Sequence, residues 1–292
     1  MKNTTEALSV VLQSLINTFA SRSVDIVRHQ MEDPVSFVQS LKLANEERAP
    51  RAMPLLSAVS NIDNAGRDEI VDKKAQGFVN RGSLLSYDEN VPKEVKEDIM
   101  DVFSLAQMAA SHSYDRFKDA ENWYKMYVNV MMMVGFNIKK FNFLKYDSKE
   151  PSFQLSQAMT TFVDSIAGGD QSIKVIAKKT MDALKDANNQ TVELFGSSST
   201  SSSNGNVQFG TVTVDATGAV QMATIAAYFS GSVEKTNYFF VTYSNATLHM
   251  FKSADMLTFN TNQYARVRDE VQKKLGNSAK KGISKLPDFG GI

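Results

Sequence analysis

The chain has 292 residues, 42% of them hydrophobic, with 32 basic against 32 acidic side chains and a sequence pI near 6.9, enough to bury one large core or two modest ones. Balanced charge speaks against nucleic acid as a partner, because phosphate binding needs a concentrated basic surface. The absence of cysteine excludes disulfides, thiolate metal sites, a cysteine nucleophile and S-acylation.

In chain order, the apolar positions Leu8, Leu12, Leu15, Ile16 and Phe19 predict a long first helix over 5–30, capped by Thr4 or Thr5. Gln13, Ser14 and Asn17 make it amphipathic, unlike a secretory signal. No run of about 18 uncharged apolar residues predicts a membrane-spanning helix. The expectation is a protein that is soluble and cytoplasmic when made, is released or exported without a Sec signal, and meets a host-cell membrane only later. Helices are also expected over 35–47 and 55–80, a loop over 82–92, and a clear helix over 93–111 with Val95, Ile99, Val102, Ala106 and Ala109 on one face.

Trp123, Tyr127, Val130, Met131 and Val134 form the stripe of a further helix ended by Gly135. A strand is expected over 137–146, a short strand over 153–159 and a short helix over 160–167, closed by Gly168 and Gly169. From Asp170, a natural N-cap, a helix over 170–195 carries Ile173, Ile176, Ala177, Thr180, Leu184 and Ala187 on one side. The serine-rich stretch 196–205 reads as a flexible linker.

Residues 195–251 hold only Asp215, Glu234 and Lys235 as formal charges, where average usage would give roughly a dozen. Within them, β-type runs at 207–214, 219–229, 236–243 and 247–251 are separated by short turns, the spacing of an antiparallel meander. The run 238–243 is apolar or aromatic on both faces and must be covered twice. The first two runs are long enough to cross a bilayer as a hairpin, or to form a buried core hairpin. A last helix over 262–274 precedes a loose basic tail, 276–292, with Lys280, Lys281 and Lys285.

Chemical motifs are scarce. His29 lies one helical turn from Glu32, but two ligands without a third make a surface pair rather than a metal site. His112 stands near Asp115 with no nucleophile elbow, and neither G-x-S-x-G nor a phosphate loop occurs. His249 belongs to a strand. Asp68, Glu69 and Asp72 read as a solvated face. The expectation is no enzyme, no cofactor, no metal, no nucleic acid and no small-molecule substrate.

The order long helix, serine-rich linker, paired hairpins and the closing Met256-Leu257-Thr258-Phe259-Asn260 resembles the C-terminal half of the Cyt family of cytolytic delta-endotoxins, with Val233-Glu234-Lys235-Thr236-Asn237-Tyr238-Phe239-Phe240-Val241-Thr242 as the nearest segment. In length and layout, with Trp123-Tyr124 leading to Phe141-Asn142-Phe143, the chain is similar to the Erwinia virulence factor (Evf) family. The resemblance covers about 120–290 and includes no catalytic motif. It implies an α+β fold, a single domain over 1–275 with an antiparallel β-sheet wrapped by α-helical layers.

It also implies a toxin or virulence role at membranes, insect-associated, in which strands reach lipid after helices peel away. The residues implied for lipid contact are Val207, Phe209, Val212, Val220, Met222, Ile225, Phe239 and Val241. The lipid membrane is the expected partner, with self-association into oligomers. A non-lytic binding or structural role on the same fold is the alternative. Evf-type lipid attachment needs a cysteine, so covalent palmitoylation does not carry over to this chain.

Overall fold

The computed structural model describes residues 20–24, 33–44, 70–137, 143–147, 152–186, 195, 199–201, 203–230, 238–244, 246–252, 256–276 and 283–285. In chain order the strands are β1 (Ala20–Val24), β2 (Gln76–Asn80), β3 (Ser83–Tyr87), β4 (Phe136–Asn137), β5 (Phe143–Asp147), β6 (Ser152–Gln154), β7 (Asn204–Val214), β8 (Val220–Ser230), β9 (Thr242–Ser244), β10 (Thr247–Lys252), β11 (Leu257–Phe259) and β12 (Ile283–Lys285). The helices are α1 (Pro34–Ser40), α2 (Lys93–Ser113), α3 (Ala120–Val134), α4 (Leu155–Ala167), α5 (Gln171–Asp186), α6 (Thr261–Ala265) and α7 (Arg268–Leu275). This is an α+β fold.

Ten strands join one sheet whose main path runs β1-β5-β10-β8-β7-β3-β2-β12, with β11 pairing both β8 and β4. Among the described strands every pairing in this sheet is antiparallel except β3 with β7, which run parallel from Ser83 opposite Gln208 to Tyr87 opposite Val212. β6 and β9 form a separate two-stranded sheet.

Alternation along the strands sends neighbouring side chains to opposite faces, and each face has its own core. On one, Phe78, Leu85, Val212 and Met222 pack with Phe103 of α2, Tyr127 of α3 and Val271 of α7. On the other, Val79, Leu84, Phe209 and Ile225 pack with Phe162 of α4 and Ile173, Ala177 and Leu184 of α5. The sheet is thus a middle layer between two helical ones.

The helices start and stop where local chemistry dictates. Asp33 caps α1, its carboxylate accepting from the Ser36 amide at 3.0 Å, with Pro34 at the first helical position. Asp170 caps α5, accepting from the amides of Ser172 at 2.9 Å and Ile173 at 3.3 Å. Asn260 caps α6 through the Gln263 amide at 2.9 Å.

Several expectations need correction. Residues 20–24, expected as helix, form β1 against β5, while 5–19 and 25–30 lie outside the described residues. Residues 76–80, also expected as helix, form β2, and the expected loop 82–92 contains β3. Both strands carry buried polar ends, Gln76, Asn80, Ser83 and Ser86, which mask the period-2 signal. Helix α4 begins at Leu155 rather than at 160, directly after β6. In the third β-type run, 236–237 lie outside the described residues, Tyr238, Phe239 and Phe240 form a turn, and Thr242–Ser244 is extended, pairing with β6 outside the main sheet.

The serine-rich stretch is anchored where described. Ser199 is fully buried, with its hydroxyl 2.8 Å from that of Tyr238 and its carbonyl accepting from the Asn206 amide at 2.7 Å. The last helix is two, α6 and α7, broken at Arg266 and Val267. The expected loose tail includes β12, paired with β2, while Lys280 and Lys281 lie outside the described residues.

Lys96 shows how the fold handles an enclosed charge. Its ammonium donates to the carbonyls of Val71 and Lys74, both at 2.8 Å, and to Gln76 Oε1 at 3.4 Å. Burial lowers its pKa to about 8, against the attraction of Asp72 and Asp88. Lys96→Met takes away the donor that the 71–76 segment shares. It is expected to cost about 1–3 kcal/mol, read as a lower denaturant midpoint.

Candidate functional site

The longest strands of the sheet, β7 and β8, have 11 residues each and pair in full register from Asn204 opposite Ser230 to Val214 opposite Val220. Their turn is organised by Asp215. Its carboxylate accepts from the Thr217 hydroxyl at 2.6 Å, the Thr217 amide at 2.8 Å, the Ala219 amide at 3.0 Å and Gln221 Nε2 at 2.5 Å. These bonds, the Thr217 hydroxyl foremost, lower its pKa to about 2. The one charge in the hairpin is therefore spent on its own turn.

The two faces of the hairpin differ. The face under α4 and α5 carries Val207, Phe209, Ala223, Ile225, Ala227 and Phe229. The opposite face, under α2 and α3, carries Val212, Val220 and Met222 near the turn but Asn206, Gln208 and Thr224, all buried, further along. Of the eight residues expected to contact lipid, Val207, Phe209 and Ile225 therefore share one face, and Val212, Val220 and Met222 the other. Phe239 and Val241 lie off the hairpin, in the segment before β9, and pack into the same core as Val207, Phe209 and Ile225. Phe239 is fully buried against Phe195 at a ring distance of 5.2 Å, and Val241 is half-buried.

The two covers are fastened differently. Helix α2 bonds into the sheet through buried polar groups. Asn80 Nδ2 donates to the Met100 carbonyl at 2.9 Å, Ser104 Oγ to Asn80 Oδ1 at 3.1 Å and Gln107 Nε2 to the Asn80 carbonyl at 3.0 Å, while the Gly82 amide donates to Gln107 Oε1 at 3.0 Å. In α4 and α5, Thr160 donates to the Ser156 carbonyl at 2.9 Å and Thr180 to the Ile176 carbonyl at 2.7 Å, inside their own helices. Apolar contact is what joins this layer to β7 and β8.

Sequence reading missed two charged groups whose chemistry burial perturbs. Asp98, buried on α2, accepts from Arg268 Nε at 2.9 Å and Nη2 at 2.6 Å, and Arg268 also pairs with Glu94. Burial raises Asp98 to about 6, outweighing the bonds from Arg268 that pull the other way. At the far corner, Arg116 is lowered to about 10 by burial. Neither belongs to a motif; the pairing of Asp98 with Arg268 spans 170 positions, and Arg116 follows a helix end where basic residues are ordinary. Among the described residues no cluster of His, Asp or Glu could hold a metal, and no helix is long and apolar enough to cross a membrane.

No family model matches the chain, and no curated protein matches it. Solved structures are similar to it, among them two of named kind. One, described as a delta-endotoxin, has a TM-score of 0.38 and 11% identity, covering 62% of this chain and 81% of its own. The other, described as the Evf virulence factor, has a TM-score of 0.32 and 12% identity, covering 77% of this chain and 91% of its own. Likeness that distant assigns neither a residue nor an activity to this chain.

Proposed function

We propose that the protein is a toxin or virulence factor acting on lipid membranes without catalysis. Helices α4 and α5 lift from the sheet, and the β7–β8 hairpin presents the face of Val207, Phe209 and Ile225 to lipid. The observation that carries this reading is the hairpin's length joined to its asymmetry. Eleven residues per strand at about 3.3 Å each reach roughly 36 Å, against a hydrocarbon core of about 30 Å. One face carries Val207, Phe209, Ala223, Ile225 and Ala227, with Thr211 and Thr213 nearer the turn, while the other carries Asn206, Gln208 and Thr224 away from the turn, an alternation of the kind a membrane strand uses.

The fastening supports the same choice of cover. A layer held to the sheet by apolar contact can exchange that contact for lipid, whereas α2 would leave bonded polar groups behind. A single hairpin leaves two unpaired edges in the hydrocarbon, so insertion calls for several copies closing one barrel. The resemblance of 233–242 and of the chain's layout to Cyt cytolysins points the same way.

Because the chain has no cysteine, two can be introduced as a unique pair, one in α4 and one in β8, which touch. Dye release from liposomes is expected from the wild type, blocked in the oxidised pair and restored by reduction. Release that persists through the closed tether rejects this opening. No release by the folded wild type, with or without limited proteolysis, rejects perforation and leaves a binding role on the closed fold.

A further inference from the structure

Among the described residues, Asp98 is matched by Arg268 and Lys96 by two carbonyls. Arg116 is held differently. It is half-buried in the turn between α2 and α3, and its guanidinium carbon lies 4.6 Å from the Trp123 ring centre and 5.9 Å from that of Phe117. Its Nη2 donates to the Asn206 carbonyl at 3.1 Å and to Gln208 Oε1 at 3.3 Å. Nε is enclosed without an acceptor, and among the described residues no acceptor reaches Nη1 and no carboxylate pairs with the group.

The seat is built rather than incidental. Asn206 Nδ2 donates to the Arg116 carbonyl at 2.6 Å, and Gln208 Nε2 to Asn206 Oδ1 at 2.6 Å, so the two amides that face the guanidinium are themselves fixed. Gly82 closes the other side: a Cβ there would lie 2.4 Å from Nη2. The nearby acid is spent, since Asp115 accepts from the amides of Phe117 at 2.9 Å and Lys118 at 3.1 Å and faces the Lys118 ammonium at 4.0 Å. The phenols of Tyr127 and Tyr238, which burial raises well above their ordinary range, stay neutral.

The geometry points to Arg116 as the receptor for a phosphate-type oxyanion, seated over Trp123 with Nη1 donating to it. An oriented guanidinium with unspent donors and no internal counter-charge is suited to such a group, and an anion offsets the cost of a partly desolvated cation. The same chemistry is offered by free phosphate and by a phospholipid headgroup. The site does not depend on the opening of the hairpin: dye release can fail while phosphate binds, and the reverse.

Trp123 is the only tryptophan in the chain, so its emission reports on the site directly. Inorganic phosphate, titrated against chloride at matched ionic strength, is expected to give a saturable change, and Arg116→Met to weaken it roughly tenfold to a hundredfold. Gly82→Ala, which keeps the charge but displaces the guanidinium, is expected to weaken it as well and stands in if Arg116→Met does not fold. Phosphatidylglycerol vesicles form the second arm: a response to vesicles alone assigns the site to a headgroup, and a response to inorganic phosphate assigns it to a soluble oxyanion. Equal responses to chloride, no response in either arm, or an unchanged response in a folded variant overturns the site.

Discussion

Phe229→Ala is expected to destabilise the protein by about 3–5 kcal/mol and to lower its thermal midpoint by roughly 10 °C. Phe229 is fully buried near the open end of the hairpin, where its ring meets Tyr243 at 5.2 Å, Tyr238 at 6.2 Å and Phe153 at 6.4 Å. It also lies across its strand partner Gly205 so closely that a Cβ there would fall 2.0 Å from the ring. The ring occupies the space a side chain on Gly205 would take, and alanine leaves that space empty. No neighbour can fill it without moving the segment that precedes β9. Phe240, half-buried, gives the comparison: Phe240→Ala should cost markedly less. Circular dichroism during denaturant unfolding measures both, and a Phe229→Ala loss below about 1 kcal/mol would show that the hairpin end does not depend on this ring.

Acidification alone should strengthen the folded state through Asp98. A carboxyl that titrates near 6 when folded and near 3.8 when released binds its proton more tightly in the folded protein. Its contribution therefore grows as pH falls through 6 and levels off below about 4, and it is lost as pH rises through 6. Arg268 is raised by the pair, so the two groups do attract. Asp98 nevertheless loses more to enclosure than it regains, with Glu94 and Asp101 adding repulsion.

The span between the two values corresponds to at most about 3 kcal/mol. Asp98→Asn should flatten stability between pH 4 and 6 while leaving the rest of the profile in place. If wild type and Asp98→Asn show the same slope there, another group carries it.

The β7–β8 hairpin was legible in the sequence because depletion of charge marks β-type runs at 207–214 and 219–229 on either side of an Asp-Ala-Thr-Gly turn, although β7 begins earlier, at Asn204, inside the stretch expected as linker. Helices α2, α3 and α5 were legible from apolar stripes and, for α5, the Asp170 cap. β2 and β3 were not, since Asn80, Ser83 and Ser86 are buried and satisfied by distant partners, Met100, Gln208 and Thr211. Composition cannot announce a partner 125 positions away. The aromatic run at 238–243 misled for the opposite reason: its double-sided apolar character is met by a buried turn, with Tyr243 donating to the Tyr238 carbonyl at 2.9 Å. Arg116 left no trace because its meaning lies in what is missing around it.

The parallel joint between β3 and β7 also sets an order of events at the ribosome. β3 is complete by residue 87, but the strand it must lie beside begins at residue 204, so β3 waits through the synthesis of helices α2 to α5 with one edge open. A loop of that length closes slowly, and an open strand edge is a template for wrong pairing. The nascent chain is most vulnerable to aggregation in that interval, and its yield will depend on how fast translation reaches β7.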